Sequence, residues 1–143
     1  MKPFLQFLTD LSALGGLPVY GVLTLFALLT DTALATRLVI AFVVAVGISA
    51  LIRIVYFKQR PQRRQFRNVI ERIDASSFSS LHTMRATILA VLLSQSQLML
   101  SVFLVVAGGV AFARFKLKQH DAADVMCGYI IGFVVAMLVR YFV

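Results

Sequence analysis

Histidine occurs only twice in this 143-residue chain, and each copy stands in a short polar cluster within an apolar sequence: Ser80-x-His82 and Arg114-x5-His120-x3-Asp124. A third cluster, Arg53-x6-Arg60-Pro61, adds two cations. A charge in or beside a membrane span is costly, so an Arg/His/Asp constellation there points to function. Read as helical, His120 and Asp124 share one face a turn apart, where the carboxylate can hold the imidazole in one tautomer and stabilise its charged form. Arg53, Arg60 and Arg114 offer planar donor forks that fit phosphate oxygens and stay charged. His82 would face them from another helix. These parts suit metal-free phosphoryl transfer: one imidazole attacks phosphorus, the other protonates the leaving oxygen, and the arginines hold the charge that builds up. A metal centre is the weaker reading, since three arginines oppose a cation and neither His-x-x-x-His nor a Cys pair exists. No cofactor and no metal ligand are expected.

Such residues must be held by membrane helices. The chain is 60% hydrophobic and 14% charged, with a mean hydropathy of +0.90, which describes a polytopic membrane protein forming one small domain over residues 1–143. Its net charge of +8 points to anionic phospholipid or a phosphorylated substrate, and the apolar background argues against nucleic acid. The lone Cys127 excludes an intrachain disulfide and a zinc framework. Lys2, a long apolar run and Ala33-Leu34-Ala35 loosely imitate a secretory signal. The uncharged run from Leu11 to Thr30 is longer than a usual signal core and matches a bilayer of roughly 30 Å, so it reads as a retained first span. Phe4, Leu5, Leu8 and Leu11 repeat at helical spacing, so residues 3–10 form either a short amphipathic lead-in or a plain extension of that span.

A second span runs from about Leu38 to Phe57, closed by Arg53, Tyr56, Phe57 and Lys58 at a headgroup boundary. The basic segment that follows, residues 58–72, reads as a surface that rests on anionic phospholipid, with Val69, Ile70 and Ile73 marking a surface helix. Between Arg85 and Arg114 no charge occurs for 28 residues, about 42 Å as one helix and too long for the bilayer. Ser94-Gln95-Ser96-Gln97 divides it into two antiparallel spans, roughly 78–94 and 97–114. The last span begins near His120 and reaches Val143, with Arg140 and Tyr141 as interfacial anchors. Gly108-Gly109 and Gly128-x3-Gly132 are read as permitting close helix packing. The expected fold is an all-α transmembrane bundle of about five helices, and its topology brings Arg53, Arg60, His82, Arg114, His120 and Asp124 to one membrane face.

The three clusters resemble the motifs of the type 2 phosphatidic acid phosphatase superfamily, Lys-x6-Arg-Pro, Pro-Ser-Gly-His and Ser-Arg-x5-His-x3-Asp. Here they read Arg53-x6-Arg60-Pro61, Ser79-Ser80-Leu81-His82 and Ala113-Arg114-x5-His120-x3-Asp124, covering 72 residues from Arg53 to Asp124. The helix order fits a family core shortened by one helix. The resemblance implies that His120 is the nucleophile forming a phosphohistidine, Asp124 its partner and His82 the general acid. It further implies that Arg53, Arg60 and Arg114 bind phosphate, with Ser80 adding a hydroxyl. The implied substrates are membrane lipid phosphates such as phosphatidic acid, phosphatidylglycerol phosphate or polyprenyl diphosphates, and no metal is required. Arg53 for lysine, Ser79 for proline and Ala113 for serine are mild departures. Leu81 for glycine is the serious one, because its side chain must turn away for the backbone to approach phosphate.

Two other classes compete with a phosphatase: an inactive protein that only binds lipid phosphate, and a small transporter whose buried charges mark a substrate path. Orientation follows from the positive charges. Twelve of the 14 Lys and Arg residues fall on the site face and only Arg37 and Arg140 on the other; removing Arg53, Arg60 and Arg114 leaves nine against two. Positive loops stay cytoplasmic, so a multi-pass cell-membrane protein with a cytoplasmic site is expected, although many members of the resembled family act on the outer face.

Overall fold

A computed structural model describes residues 2–58, 68, 71 and 76–143. Arg60, Pro61 and the expected surface helix around Val69, Ile70 and Ile73 lie outside the described residues, as do Arg63, Arg64, Arg67 and Arg72. The described residues form six helices and no sheet: α1 (Lys2–Ala13), α2 (Leu17–Thr30), α3 (Thr32–Val55), α4 (Leu81–Leu93), α5 (Gln97–Lys116) and α6 (Ala122–Phe142). Helices α3, α5 and α6 are each long and apolar enough to cross a membrane, and α1 with α2 forms a fourth candidate bent by 41°.

The expected first span, Leu11 to Thr30, is broken. Helix α1 stops at Ala13, Gly16 caps α2 in an extended conformation, and Pro18 fills the first turn of α2. Gly15 stands at the break for a steric reason, since an added Cβ would overlap the carbonyl oxygen of His82. Residues 2–13 are therefore a helix of their own, with Phe4, Leu5 and Phe7 outward and Leu8 buried.

The expected third span, 78–94, is shorter than a bilayer. Its helix, α4, has 13 residues and rises about 20 Å. It is the centre of the bundle, packed on α6, α5 and α3, and every residue from Thr83 to Val91 is buried. Two tethers set α4 parallel to α6: the Ser80 amide donates to the Asp124 carbonyl at 3.1 Å near their starts, and Arg140 donates to the Val91 carbonyl at 3.1 Å near their ends. Between these tethers the helices touch backbone to backbone. A Cβ on Gly128 or Gly132 would come within 2.6 Å of the carbonyls of Ser80 and Met84. The small-residue reading thus fits Gly128-x3-Gly132, whereas Gly108 faces open space and Gly109 meets only the Leu11 side chain.

The polar quartet does turn the chain. Helix α4 ends at Leu93, Ser94 donates back to the Val91 carbonyl at 2.8 Å, and Ser96 caps α5 by accepting the Met99 amide at 3.2 Å. Arg140 reaches Ser94 Oγ at 3.1 Å, so it is tied to the end of α4 as well as being near the chain's apolar end.

Candidate active site

Four helix ends meet at one end of the bundle. Arg53 is in the last turn of α3, Ser80 and His82 start α4, Arg114 is in the last turn of α5, and Asp124 is in the first turn of α6. His120 is not on the helix with Asp124, as its spacing had implied. Asp121 caps α6 instead: its carboxylate accepts the Asp124 amide at 3.0 Å, and Asp124 Oδ2 accepts the Asp121 amide at 3.1 Å. This reciprocal box satisfies two orphan donors and starts the helix beyond His120, at Ala122. The imidazole still reaches the carboxylate from the preceding link, with Nδ1 at 3.7 Å from Asp124 Oδ2.

The nearer neighbour of His120 is a carbonyl. Nδ1 stands 2.8 Å from the oxygen of Ser77, and Nε2 stands 3.4 Å from a terminal nitrogen of Arg114. A carbonyl only accepts and a guanidinium only donates. In a neutral ring the proton therefore sits on Nδ1, and Nε2 carries the lone pair beside the Arg114 cation. His120 is 3% exposed and Asp124 fully buried, so both are held in a low-dielectric setting.

Arg53 donates from Nε to the Phe78 carbonyl at 2.9 Å and from a terminal nitrogen to the Ser79 carbonyl at 3.0 Å, fixing the chain that leads into α4. Ser80 spends its hydroxyl on the cap of α4, accepting the Thr83 amide at 3.5 Å and the Thr83 hydroxyl at 3.1 Å. Leu81 is half-buried and packs against the main apolar core. Arg60 falls outside the described residues.

Three participants were not singled out from the sequence. Lys58 donates to Asp124 Oδ1 at 2.9 Å and pairs with Asp121 Oδ2. Burial works against its charge, but hydrogen bonds and attraction from the two carboxylates outweigh that and raise its pKa above the ordinary lysine value. Its ammonium thus faces the two carboxylates at the start of α6. Arg85, 7% exposed, donates to the Gly15 carbonyl at 2.9 Å and faces His82 Nδ1 at 3.4 Å. Ser12, buried at the end of α1, lies 3.4 Å from Arg114. Arg85 carried a usable signal, a charge on an apolar helix; Lys58 and Ser12 did not, since their partners are 66 and 102 residues away.

Among the described residues no cluster of His, Cys, Asp and Glu could hold a metal ion. The assembly offers one imidazole nitrogen facing a guanidinium, a second imidazole at a helix start, and several fixed cations.

Comparison with known proteins bears on this geometry. The model of the PAP2 superfamily matches residues 34–143. Among solved structures, Aquifex aeolicus LpxE superposes with a TM-score of 0.82 at 19% identity, over 99% of this chain and 88% of that one. No curated protein sequence matches the chain.

Proposed function

Because the chain belongs to the PAP2 superfamily, which supports lipid phosphatase activity in general, we propose that it hydrolyses a phosphate monoester or diphosphate on a membrane lipid through a phosphohistidine at His120. Phosphatidic acid, phosphatidylglycerol phosphate and polyprenyl diphosphates are the candidate substrates, and no metal takes part. The observation that carries this reading is the pinning of His120 between an acceptor on Nδ1 and a donor cation at Nε2. That arrangement leaves Nε2 as the unprotonated nitrogen of the neutral ring and sets it beside a cation that would draw a phosphate.

In the first half-reaction the Nε2 lone pair forms the N–P bond. The P–O bond to the lipid breaks with its electron pair on the leaving oxygen, which takes a proton from protonated His82. The His120 ring then carries positive charge, and Asp124 favours it from 3.7 Å. Arg114 and Arg53 hold the equatorial oxygens; Arg60 receives the same role from the family motif alone. In the second half water attacks phosphorus and returns a proton to His82, the N–P electrons return to Nε2, and inorganic phosphate leaves. The basic 58–72 segment is proposed to rest on anionic phospholipid apart from Lys58, which faces Asp121 and Asp124.

The test is a chemical quench of purified protein with radiolabelled phosphatidic acid or polyprenyl diphosphate. We expect a phosphoenzyme that is stable to base and labile to acid, absent in His120→Ala and indifferent to EDTA. A base-stable phosphoenzyme in His120→Ala, or turnover that needs a divalent cation, refutes the mechanism. Lipid phosphate bound without any phosphate release would mean an inactive binder, and flux into liposomes a transporter.

A further inference from the structure

The end of the bundle opposite the site carries two cations, Arg37 and Arg140. Arg140 is held by the Val91 carbonyl and by Ser94 Oγ, each at 3.1 Å. Arg37, half-buried in the second turn of α3, has no such support. Its Nε is buried without a hydrogen-bond partner, and among the described residues no carboxylate comes within ion-pair distance of its guanidinium. The nearest acid along the chain, Asp31, caps α3 and accepts the Leu34 amide at 3.0 Å. The helix dipole does not help, since the positive end of α3 lies here. A guanidinium donates and cannot accept, so what Arg37 lacks is an acceptor, and an anion would match its charge as well.

Val44 and Ile48 follow Arg37 by seven and eleven residues on α3 and so share its face. With Ile52 they form one wall of an apolar groove of about 620 Å³, and Val134, Leu138 and Phe142 of α6 form the other. That volume lies within the range of roughly 300–1,000 Å³ found for ligand clefts. Helix α3 ends and α6 begins at the site, so the two run antiparallel and the Arg37 end of α3 lies toward the far end of α6. From Arg53 to Arg37 is about 24 Å of helix, against a hydrocarbon core of roughly 30 Å, which puts a long cationic side chain within reach of the opposite headgroup level. From Arg37 to Ile48 is about 16 Å, close to the depth of one leaflet.

We propose that Arg37 and the α3–α6 groove form a binding site for one anionic phospholipid of the leaflet opposite the active site, with the lipid phosphate on Arg37 and an acyl chain along Val44, Ile48, Val134 and Leu138. The phosphate supplies the acceptor that the buried Nε lacks and the charge that no carboxylate of the chain supplies there. A zwitterionic lipid brings the same phosphate together with its own cation, and among the described residues near Arg37 no acidic partner is placed to receive that cation. Discrimination therefore falls on net headgroup charge. The chain of such a lipid packs against both α3 and α6, whose other ends carry Arg53 and Asp124. Neither His120 nor turnover enters the test.

The chain has no tryptophan, so Phe142→Trp, at an exposed position on the groove wall, gives a single fluorophore. The full chain is reconstituted in vesicles of phosphatidylcholine and phosphatidylglycerol with one or the other brominated, and quenching reports which lipid lies beside the tryptophan. We expect phosphatidylglycerol to be preferred by about fivefold or more, the size of effect that one well-placed cation gives. Arg37→Gln should bring the ratio to within about 1.5-fold of unity, while Arg37→Lys, which keeps the charge, should retain about threefold or more. Leu98→Trp, exposed in the first turn of α5 at the same end of the bundle, is the control and should show a ratio near unity with or without Arg37. A ratio near unity at Phe142→Trp overturns the proposal, whether a zwitterionic lipid or a second copy of the chain covers the groove. So does an equal preference at both tryptophans, which would reflect the net charge of the whole protein, or a ratio that Arg37→Gln leaves unchanged. If Arg37→Gln does not fold, the contrast between the two tryptophan positions decides.

Discussion

Replacing Lys58 by methionine isolates the ion pair on which the start of α6 depends. Asp124 is fully buried and Lys58 Nζ lies 2.9 Å from its Oδ1, while the Lys58 side chain keeps 25% of its exposure. At that distance the attraction is of order 5 kcal/mol with an effective dielectric of about 20. Two terms reduce the loss: the Asp121 amide still serves Oδ2, and the lysine position is partly open to solvent. Breaking a fully buried pair costs about 3–5 kcal/mol, so we expect Lys58→Met to lose about 2–3 kcal/mol. The sole cysteine, Cys127, lies one turn beyond Asp124, and its reaction with a fluorogenic maleimide during heating reports the opening of this region. The midpoint should fall by about 5–10 °C. Asp124→Asn in the same background should recover at least half of that loss, because the stranded charge is gone. Since the Lys58 pKa is raised, its contribution is complete below the ordinary lysine value and fades only as pH climbs through the raised one. The difference between wild type and Lys58→Met should therefore stay constant from about pH 6 to pH 9. A midpoint shift under about 1 °C, or no recovery on neutralising Asp124, would refute the reasoning.

Gly128→Ala and Gly132→Ala should each cost about 1–3 kcal/mol by forcing α4 and α6 apart, whereas Gly47→Ala and Gly108→Ala, which face open space, should leave the thermal midpoint within about 1 °C. Leu81→Gly should lower stability by about 2–3 kcal/mol through lost core packing and leave KM for phosphorylated lipids within about twofold; a clear rise in activity on larger headgroups would show that Leu81 narrows the pocket. For orientation, single cysteines at Gln65 and Gln95 in a Cys127→Ala background, probed on intact cells with an impermeant thiol reagent, should label at 95 and not at 65. The reverse pattern would refute a cytoplasmic site.

The ends of the helices were legible because charges are sparse in this chain and each marks a boundary. Arg53, Arg114 and the Ser94–Gln97 turn all fall where hydropathy changes. The break between α1 and α2 was not, because Leu14, Gly15 and Gly16 interrupt the backbone without interrupting the apolar run. Nor was the start of α6. The pair Asp121-x-x-Asp124 ahead of an apolar run is a capping signal, but the four-residue spacing of His120 and Asp124 is equally that of one helical turn and masks it. The acceptor at His120 Nδ1 is a main-chain oxygen 43 residues away, and any residue type at position 77 would bring one. The carbonyls that position the site leave no trace in side-chain patterns.

Those carbonyls explain how so many cations are tolerated in one apolar bundle. Arg53 takes the oxygens of Phe78 and Ser79, Arg85 that of Gly15, and Arg140 that of Val91, each at a helix end or link where the main chain has acceptors to spare. A guanidinium held by carbonyl dipoles is positioned without being neutralised. A carboxylate would fix it as firmly and cancel the charge an anionic substrate must meet. Lys58 follows the other rule and is matched by Asp121 and Asp124, which suits a residue that stabilises the start of α6. The division yields a discriminating expectation for inorganic phosphate as a ligand. Lys58→Met should weaken its binding by less than about threefold once the protein is folded, whereas Arg53→Met, which removes a carbonyl-held cation of the site, should weaken it by about tenfold or more. Equal losses in the two variants, measured by calorimetry at one ionic strength, would mean that Lys58 leaves its carboxylates to meet the anion and that the two kinds of cation are not separate in function.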